Sequence, residues 1–492
     1  MLILRVWDQS GLTSTHFSPA ENYASEADRF APARPLVDAR GTGYYVSAPP
    51  FAYLLAFAAH RCLPQADLRL VLKGLNLALL LPATWALFAI LSRNVGRNIA
   101  LAGCAVFLFN RAVLLSLGNL YYPGILVVPL WVTLVCYYER IHEAHPSSKL
   151  PGVTIFLGTF LLAYTDWIGY LVAASFIAWP FLAKEPVGSI RRRVARFSLF
   201  GASAAAALTV FQYASIAGFT RFVQALGGRF QHRTGINTEA GDPLTLWNPK
   251  TYVMILENYR FQYRYLIAAI AIAILVLVIL RSLKDSIIHY QSAKCALFCF
   301  AAPILLEHAL IPNFGANHNF VELKGAPILA VVASLAFAAV VRQLIALKPD
   351  FRRGVLAAAV IAVCVLAIRS FEHERNDLAP TDAILGDAIH ANARPSEVVF
   401  LEKRSPVDTV RPNLNYFSSR NVMMVSDLSE GIQLLSQRGM KEGVLFQADL
   451  NGNLTVPPTH FRIPYAEMSN ASTKPPLRDV KLLAVRSAAA NP

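Results

Sequence analysis

Charge is what this sequence has least of. Only 15% of its 492 residues are Asp, Glu, Lys or Arg, where a soluble domain carries about 25%. The shortage is concentrated. Residues 120–138 (LYYPGILVVPLWVTLVCYY) and 197–220 (FSLFGASAAAALTVFQYASIAGFT) hold no charged residue at all. At about 1.5 Å per residue, either run crosses roughly 30 Å of hydrocarbon, which excludes a purely soluble protein. Cysteine is sparse too. Cys62, Cys104, Cys136, Cys295, Cys299 and Cys364 all lie in or beside apolar segments, so neither a disulfide framework nor a CxxC metal site is expected. Also missing are a P-loop, a GxGxxG unit, a Ser–His–Asp elbow and a Cys–His nucleophile pattern, which argues against an ATPase or a soluble hydrolase. The net charge of +14 does not indicate nucleic acid, because Lys and Arg cluster in short loops between apolar runs, as the positive-inside rule expects. The opening MLILRVWDQSG reads as neither a signal peptide nor a span.

What is present is a polytopic α-helical membrane protein. Ten spans are expected, at about 73–92, 98–115, 120–138, 152–165, 167–183, 197–217, 265–281, 294–310, 325–343 and 354–371. The basic connections 92–97, 139–149, 184–196, 281–294 and 342–353 alternate with less basic ones. If these are cytoplasmic, the long excursion 218–264, the short loop 311–324 and the C-terminal part all face outward. Before the first span stands GTGYYVSAPPFAYLL (41–55), with Tyr45, Pro49, Pro50 and Tyr53. Proline suits the first turn of a helix and tyrosine suits a membrane–water boundary. Only about a dozen apolar residues follow before Arg61, so a non-spanning interfacial helix is expected there. From residue 372 onward, strand candidates at 397–401, 421–425 and 443–447 alternate with helices near 380–393 and 428–439, the pattern of a small α/β domain outside the membrane. The resulting division is an outer loop with interfacial helices (1–63), a transmembrane helical domain (64–371) and an extracytoplasmic α/β domain (372–492).

Ionisable groups at span ends are the chemical candidates. Asp166, in AYTDWIGY, lies between two apolar runs; it reads either as a functional carboxylate or as a cap for the following helix, with Trp167 as an interface anchor. Glu307, His308, His318 and Lys324 flank the loop LLEHALIPNFGANHNFVELKG. No metal-ligand spacing occurs there, and His318 and Lys324 read as contacts to an anionic headgroup or substrate phosphate, or as loop residues that stay wet. In the excursion, Arg221, Arg229, His232 and Arg233 bring positive charge to the side where the positive-inside rule depletes it, which points to an anionic ligand. The aromatics of FQYRY are expected in the headgroup belt.

In order along the chain, YYVSAPPFAYLL, LRLVLKGLN (68–76), SRNVGRNIALAGCAVFLFN, HNFVELKGAPILAV (318–331) and LNYFSSRNV (414–422) resemble the weak motif series of GT-C membrane glycosyltransferases that use polyprenyl-phosphate sugars, the protein O-mannosyltransferase and aminoarabinose-transferase relatives. The resemblance implies transfer of a sugar from a polyprenyl-phosphate donor to a glycan, lipid or protein acceptor at the outer face of the plasma (inner) membrane. It points to Arg69 and His318, alongside Arg229, Arg233 and Lys324, as donor-phosphate candidates, and to Tyr45, Pro49, Pro50, Tyr53 and Asp166 as entrance or positioning residues. No metal ligand is assigned, and a divalent cation at the leaving phosphate stays open. The family's catalytic acid follows a first transmembrane helix and precedes a segment like VWDQSGL; it is expected upstream of Met1, since none of Asp8, Glu21, Glu26, Asp28 and Asp38 falls at the matching position. The alternatives are a catalytically degenerate member, a polysaccharide polymerase or ligase, and a transporter.

Overall fold

The computed structural model describes residues 2–23, 25–28, 36–118, 123–144, 150–183, 189–236, 244–279, 291–318, 321–343, 349–377, 381–402, 414–415, 418–448, 453–463 and 481–483. Parts of the basic connections that carried the orientation expectation (145–149, 184–188, 281–290 and 344–348), Tyr416 and Phe417 of LNYFSSRNV, and the terminal stretch 484–492 lie outside the described residues.

Among the described residues, six helical segments are long and apolar enough to cross a membrane: Leu68–Val95, Pro123–Ile141, Arg192–Ala217, Pro249–Val276, Ala293–Leu310 and Val321–Gln343. Four shorter apolar segments, Arg97–Leu108, Gly152–Ala163, Ile168–Leu182 and Ala357–Ser370, coincide with the remaining expected spans. The helix Phe51–Cys62, which opens at Pro50, has 12 residues and is about 18 Å long, too short to span. The excursion 218–264, expected as a loop, is largely helical. Phe219–Thr234 forms one helix, and Pro249–Ile279 forms another with a break at Tyr263 (φ −125°, ψ 17°).

The chain falls into two units: residues 47–211 with 223–375, and residues 1–46 with 212–222 and 376–492. In the first, the helical unit, the long helix Leu68–Val95 packs on Arg97–Leu108 and Pro123–Ala144. Buried aromatics lock other pairs. Trp131 donates its indole N–H to the Cys299 carbonyl (3.1 Å) and meets Phe300 edge-on. Tyr138 stacks on Phe176 at 4.6 Å.

The second unit is built on a five-stranded sheet. Counting from the short antiparallel pair β1 (Leu36–Val37) and β2 (Gly43–Tyr44), its strands are β3 (Val398–Glu402), β4 (Val422–Val425), β5 (Glu442–Phe446), β6 (Thr459–Arg462) and β7 (Lys481–Leu483). The order is β4-β3-β5-β6-β7, with β3 parallel to both β4 and β5 and the last two pairings antiparallel. The strand period of two shows in the packing. Val398 and Phe400 join a core with Ile432, Leu435 and Phe461, whereas Val399 and Leu401 join one with Leu385, Ile389 and Phe446. Both faces are covered, as a parallel sheet requires.

This grouping cuts across the sequence division at residue 63. Residues 1–46 belong with the sheet because Asp28 is bound there. Its carboxylate takes Arg420 Nε at 3.1 Å and the Asn421 amide at 2.8 Å. Ala27 enters the Phe400 core, and Arg5 donates to Ser419 Oγ at 2.7 Å.

In the helical unit the turn between Leu150–Ala163 and Ile168–Leu182 is closed by Gly169, whose amide donates to the Asp166 carbonyl at 2.9 Å. A Cβ there would strike the backbone of Leu162 and Ala163, whereas one at Gly74 would meet nothing within 4 Å. Gly169→Ala is therefore expected to destabilise the protein by about 1–3 kcal/mol, read as a lowered Tm in detergent. Gly74→Ala should leave Tm unchanged or raise it.

Candidate active site

Three distant stretches of the helical unit converge on one ammonium group. Asp166 sits in the turn before Ile168–Leu182, Glu307 in the last turn of Gln291–Leu310, and Lys324 in the 3-10 turn Val321–Gly325 that leads into Ala326–Gln343. Pro327, in the first turn of that last helix, gives up an N–H that has no partner there anyway. Lys324 Nζ donates to Glu307 Oε1 at 2.6 Å and lies 3.4 Å from Asp166 Oδ1. Lys324, Glu307 and Asp166 are 2%, 4% and 8% exposed, so water does not screen the cluster. Asp166 Oδ1 also accepts from the Ile168 amide at 3.1 Å, so the capping role and the ion-pair role coexist. Glu307 Oε2 has no hydrogen-bond partner among the described residues.

The helix Pro249–Ile279 frames one side. Asn258 Nδ2 donates to the carbonyls of Gly315 and Ala316, both at 3.1 Å. Tyr259 Oη and His308 Nε2 are 3.1 Å apart. Tyr263 Oη donates to the Glu322 carbonyl at 2.6 Å. Tyr263 is 1% exposed, which corrects the headgroup-belt expectation for this ring of FQYRY alone: its hydroxyl has a partner inside, while Phe261 stays exposed and Tyr265 half-buried. The close fit leaves room only for glycine at two places. A Cβ on Gly325 would lie 2.6 Å from the Tyr259 ring, and one on Gly315 would lie 2.7 Å from His308 Nδ1.

A second group gathers around Ser47, two residues before the paired prolines. Its carbonyl accepts from Trp167 Nε1 at 2.9 Å and from Arg233 Nη2 at 3.1 Å. The Arg233 guanidinium lies 4.1 Å from the Phe314 ring centre, and the His318 ring is 4.7 Å from the same ring. His318 Nδ1 is 3.2 Å from the Phe314 carbonyl. A carbonyl can only accept, so Nδ1 carries the proton, and in the neutral ring Nε2 is the acceptor nitrogen. Burial lowers the His318 pKa from its ordinary 6.5, the hydrogen bond to Phe314 opposes this, and Arg233 and His232 lower it further.

Of the residues singled out in the sequence, contacts thus tie Asp166 to Lys324 and place Arg233 and His318 on one ring. Arg229 is half-buried one turn before Arg233 on the same helix. Pro49 and Pro50 are buried, and Pro50 opens the helix that carries half-buried Tyr53. Arg69 is exposed in the first turn of Leu68–Val95, its amide held by Asp67. Tyr45 belongs to the other unit, where its carbonyl accepts from Tyr213 Oη at 3.0 Å. No local pattern marks Asn258 or Phe314, and Glu307 and Lys324, both singled out in the sequence, were not paired there. Among the described residues, no group of three or more His, Cys, Asp or Glu could hold a metal ion. The two carboxylates at Lys324 already face its ammonium.

Two consequences can be measured. Lys324→Met leaves two buried carboxylates with no ammonium between them and should cost about 3–5 kcal/mol, with part of the loss recovered in Lys324→Met/Glu307→Gln. For His318, a depressed native pKa means that the unfolded chain binds the proton first. The associated stability is present above pH ~6.5 and is lost as pH falls through the native value. Unfolding followed from pH 7 to pH 5 should therefore show a smaller decline in His318→Gln than in the parent protein.

No family model matches the sequence, and no curated protein matches it either. Solved structures do. ArnT from Cupriavidus metallidurans in the apo state aligns at a TM-score of 0.52 and 10% identity, covering 90% of this chain and 88% of that one. The same protein bound to undecaprenyl phosphate aligns at 0.53, with the same identity and coverage. The oligosaccharyltransferase AglB from Archaeoglobus fulgidus, in complex with an inhibitory peptide and a dolichol-phosphate, aligns at 0.51 and 12% identity, covering 90% of this chain and 65% of that one. Both are GT-C glycosyltransferases. The chain therefore has the GT-C fold: a polytopic helical membrane protein with a small α/β part at its C-terminal end.

Proposed function

We propose that this protein is a glycosyltransferase that moves a sugar from a polyprenyl-phosphate donor to a glycan, lipid or protein acceptor at the outer face of the membrane. In this reading the loop 311–324, the excursion 218–264 and the C-terminal α/β domain face outward, and the donor's tail lies among the spans. The observation that carries it is the meeting of Arg233, Phe314 and His318 at the Ser47 carbonyl, beside the paired prolines, within a fold whose solved examples include one bound to undecaprenyl phosphate and one to a dolichol-phosphate.

Transfer breaks the bond between the anomeric carbon and the phosphate oxygen, so negative charge grows on the departing polyprenyl phosphate. A cation aimed at that oxygen stabilises the transition state more than the ground state. Lys324 is poorly suited to this, because two carboxylates hold its ammonium; its role in this proposal is to position Asp166 and Glu307. Arg233 is better suited. Its hydrogen bond goes to a neutral carbonyl and its ring contact to an aromatic face, with the Glu307 carboxylate near enough to feel its charge, and its planar fork fits phosphate oxygens. Arg229, one turn away, adds positive charge on the same helix. The acceptor nitrogen of His318 suits a sugar or acceptor hydroxyl better than a phosphate.

The test is donor turnover with a radiolabelled polyprenyl-phosphate sugar. Arg233→Ala should lower turnover roughly 100-fold, with Tm within a few degrees of the parent, and Arg233→Lys should restore only part of it because the fork is lost. Turnover unaffected in both variants would remove the phosphate assignment. Substrate flux across vesicles without donor consumption would remove the transferase reading altogether.

A further inference from the structure

The helix Phe219–Thr234 meets different surroundings on three faces. Toward the protein, Ala225 is buried and Arg229 and Arg233 are half-buried. Gln224, Gln231 and His232 form an exposed polar face. Between the two run Val223, Leu226 and Phe230, whose steps of three and four residues align them on one side. Val223 and Phe230 are 47% and 49% exposed, and Leu226 is half-buried.

An apolar stripe left in water works against this helix. It has 16 residues, a length that is marginal for an isolated helix, and Gly227 and Gly228 lower its propensity by about 1 kcal/mol each. A Cβ at either glycine would meet nothing within 4 Å, so neither is required by a close contact. Apolar surface left in water forfeits about 25 cal/mol per Å² relative to burial, and the stripe therefore favours an apolar medium within reach.

Where the helix stands identifies that medium. One span ends at Ala217, and Gly218, with φ +89°, turns the chain into the helix. At the other end, Arg233 lies 4.1 Å from the ring centre of Phe314, which stands just past the end of the span Ala293–Leu310. Two spans, Pro249–Val276 and Ala293–Leu310, separate these points along the chain, so both belong to one membrane surface. The same level carries a turn that displays Trp247, 85% exposed. Asn313 Nδ2 donates to the Leu244 carbonyl at 2.8 Å, and a Cβ at Gly235 would strike that carbonyl. Thr251 Oγ1 donates to the Thr245 carbonyl at 2.8 Å and Tyr252 Oη to the Leu246 carbonyl at 3.0 Å, which fixes the turn. An indole held outward at a membrane boundary satisfies both its apolar ring and its N–H donor.

We propose that this face docks on the bilayer itself: the helix lies in the membrane–water boundary, with Val223, Leu226 and Phe230 toward the acyl chains and Trp247 at headgroup level. The assignment is independent of the transferase reading. An amphipathic helix in this position sinks its apolar side about 5–10 Å into the headgroup–acyl boundary, while Gln224, Gln231 and His232 stay in water.

The experiment uses the full chain in dioleoyl phosphatidylcholine vesicles, with a nitroxide label at Phe230→Cys or at Gln224→Cys. Cys62→Ser and Cys364→Ser remove the native thiols that are not buried. Collisions with oxygen report lipid, and collisions with a water-soluble nickel chelate report solvent. The label at 230 should favour oxygen, at a depth of about 5–10 Å, whereas the label at 224 should favour nickel. A second measurement takes the emission of Trp247 as the difference between the parent protein and Trp247→Phe. That emission should be quenched by lipid brominated near the headgroup end of the acyl chain, and less by lipid brominated near the methyl end. Nickel access at 230 equal to that at 224 would overturn the proposal. So would an immobilised label at 230 reached by neither reagent, the mark of a second copy or another protein on this face, or Trp247 emission insensitive to both lipids.

Discussion

The ammonium of Lys324, held between Glu307 and Asp166, is the constraint on which the rest of the helical unit's site depends. Removing a charge from water costs several kcal/mol even after the protein relaxes, and only close, well-directed partners offset it. A distance of 2.6 Å to Glu307 supplies one such partner, and Asp166, turned into place by its own bond to the Ile168 amide, supplies the other. The consequence is positional. The turn at 164–167, the end of Gln291–Leu310 and the entry to Ala326–Gln343 cannot drift apart without exposing or stranding a charge. Trp167, immediately after Asp166, then reaches the Ser47 carbonyl, and Arg233 reaches the same oxygen.

The basic residues of the helical unit divide by what faces them. Lys324 faces two carboxylates, so its charge is spent inside the protein and the cluster carries no surplus positive charge. Arg93 likewise faces Glu139 at 3.2 Å. Arg233 is bonded to a carbonyl and lies on a phenyl ring, with Glu307 near enough to feel its charge. Dipoles and aromatic faces orient a guanidinium without neutralising it. Arg233, held by a dipole and a ring, is positioned while keeping donors that an anion can take, which Lys324 between its two carboxylates does not.

Composition and local periodicity made much of this fold legible. Apolar runs placed the helices, and alternation at 397–401, 421–425 and 443–447 placed three strands to within a residue of Val398–Glu402, Val422–Val425 and Glu442–Phe446, because each signal is local. The partnerships were not local. Asp166 and Lys324 are 158 positions apart, and Asp28 and Arg420 are 392 apart; no periodicity relates them. The excursion 218–264 misled for a related reason. Its polar and aromatic content resembles a loop on a hydropathy scale, yet Tyr259 and Tyr263 turn inward because His308 and the Glu322 carbonyl offer hydrogen-bond partners. An amphipathic aromatic goes where its polar tip is satisfied, and the sequence near it does not say where that is.

The break at Tyr263 follows from the same need. A regular helix through Pro249–Ile279 would fix the directions of residues 258–264 at 100° per step. Asn258 and Tyr259 must face the 313–325 segment, and Arg264 must face Ser370. One residue with φ −125° and ψ 17° resets the direction between those two groups. The lost intrahelical bonding is offset in part by the 2.6 Å bond from the Tyr263 hydroxyl to the Glu322 carbonyl. A helix with polar contacts on two bearings has to bend between them, and here it bends at Tyr263.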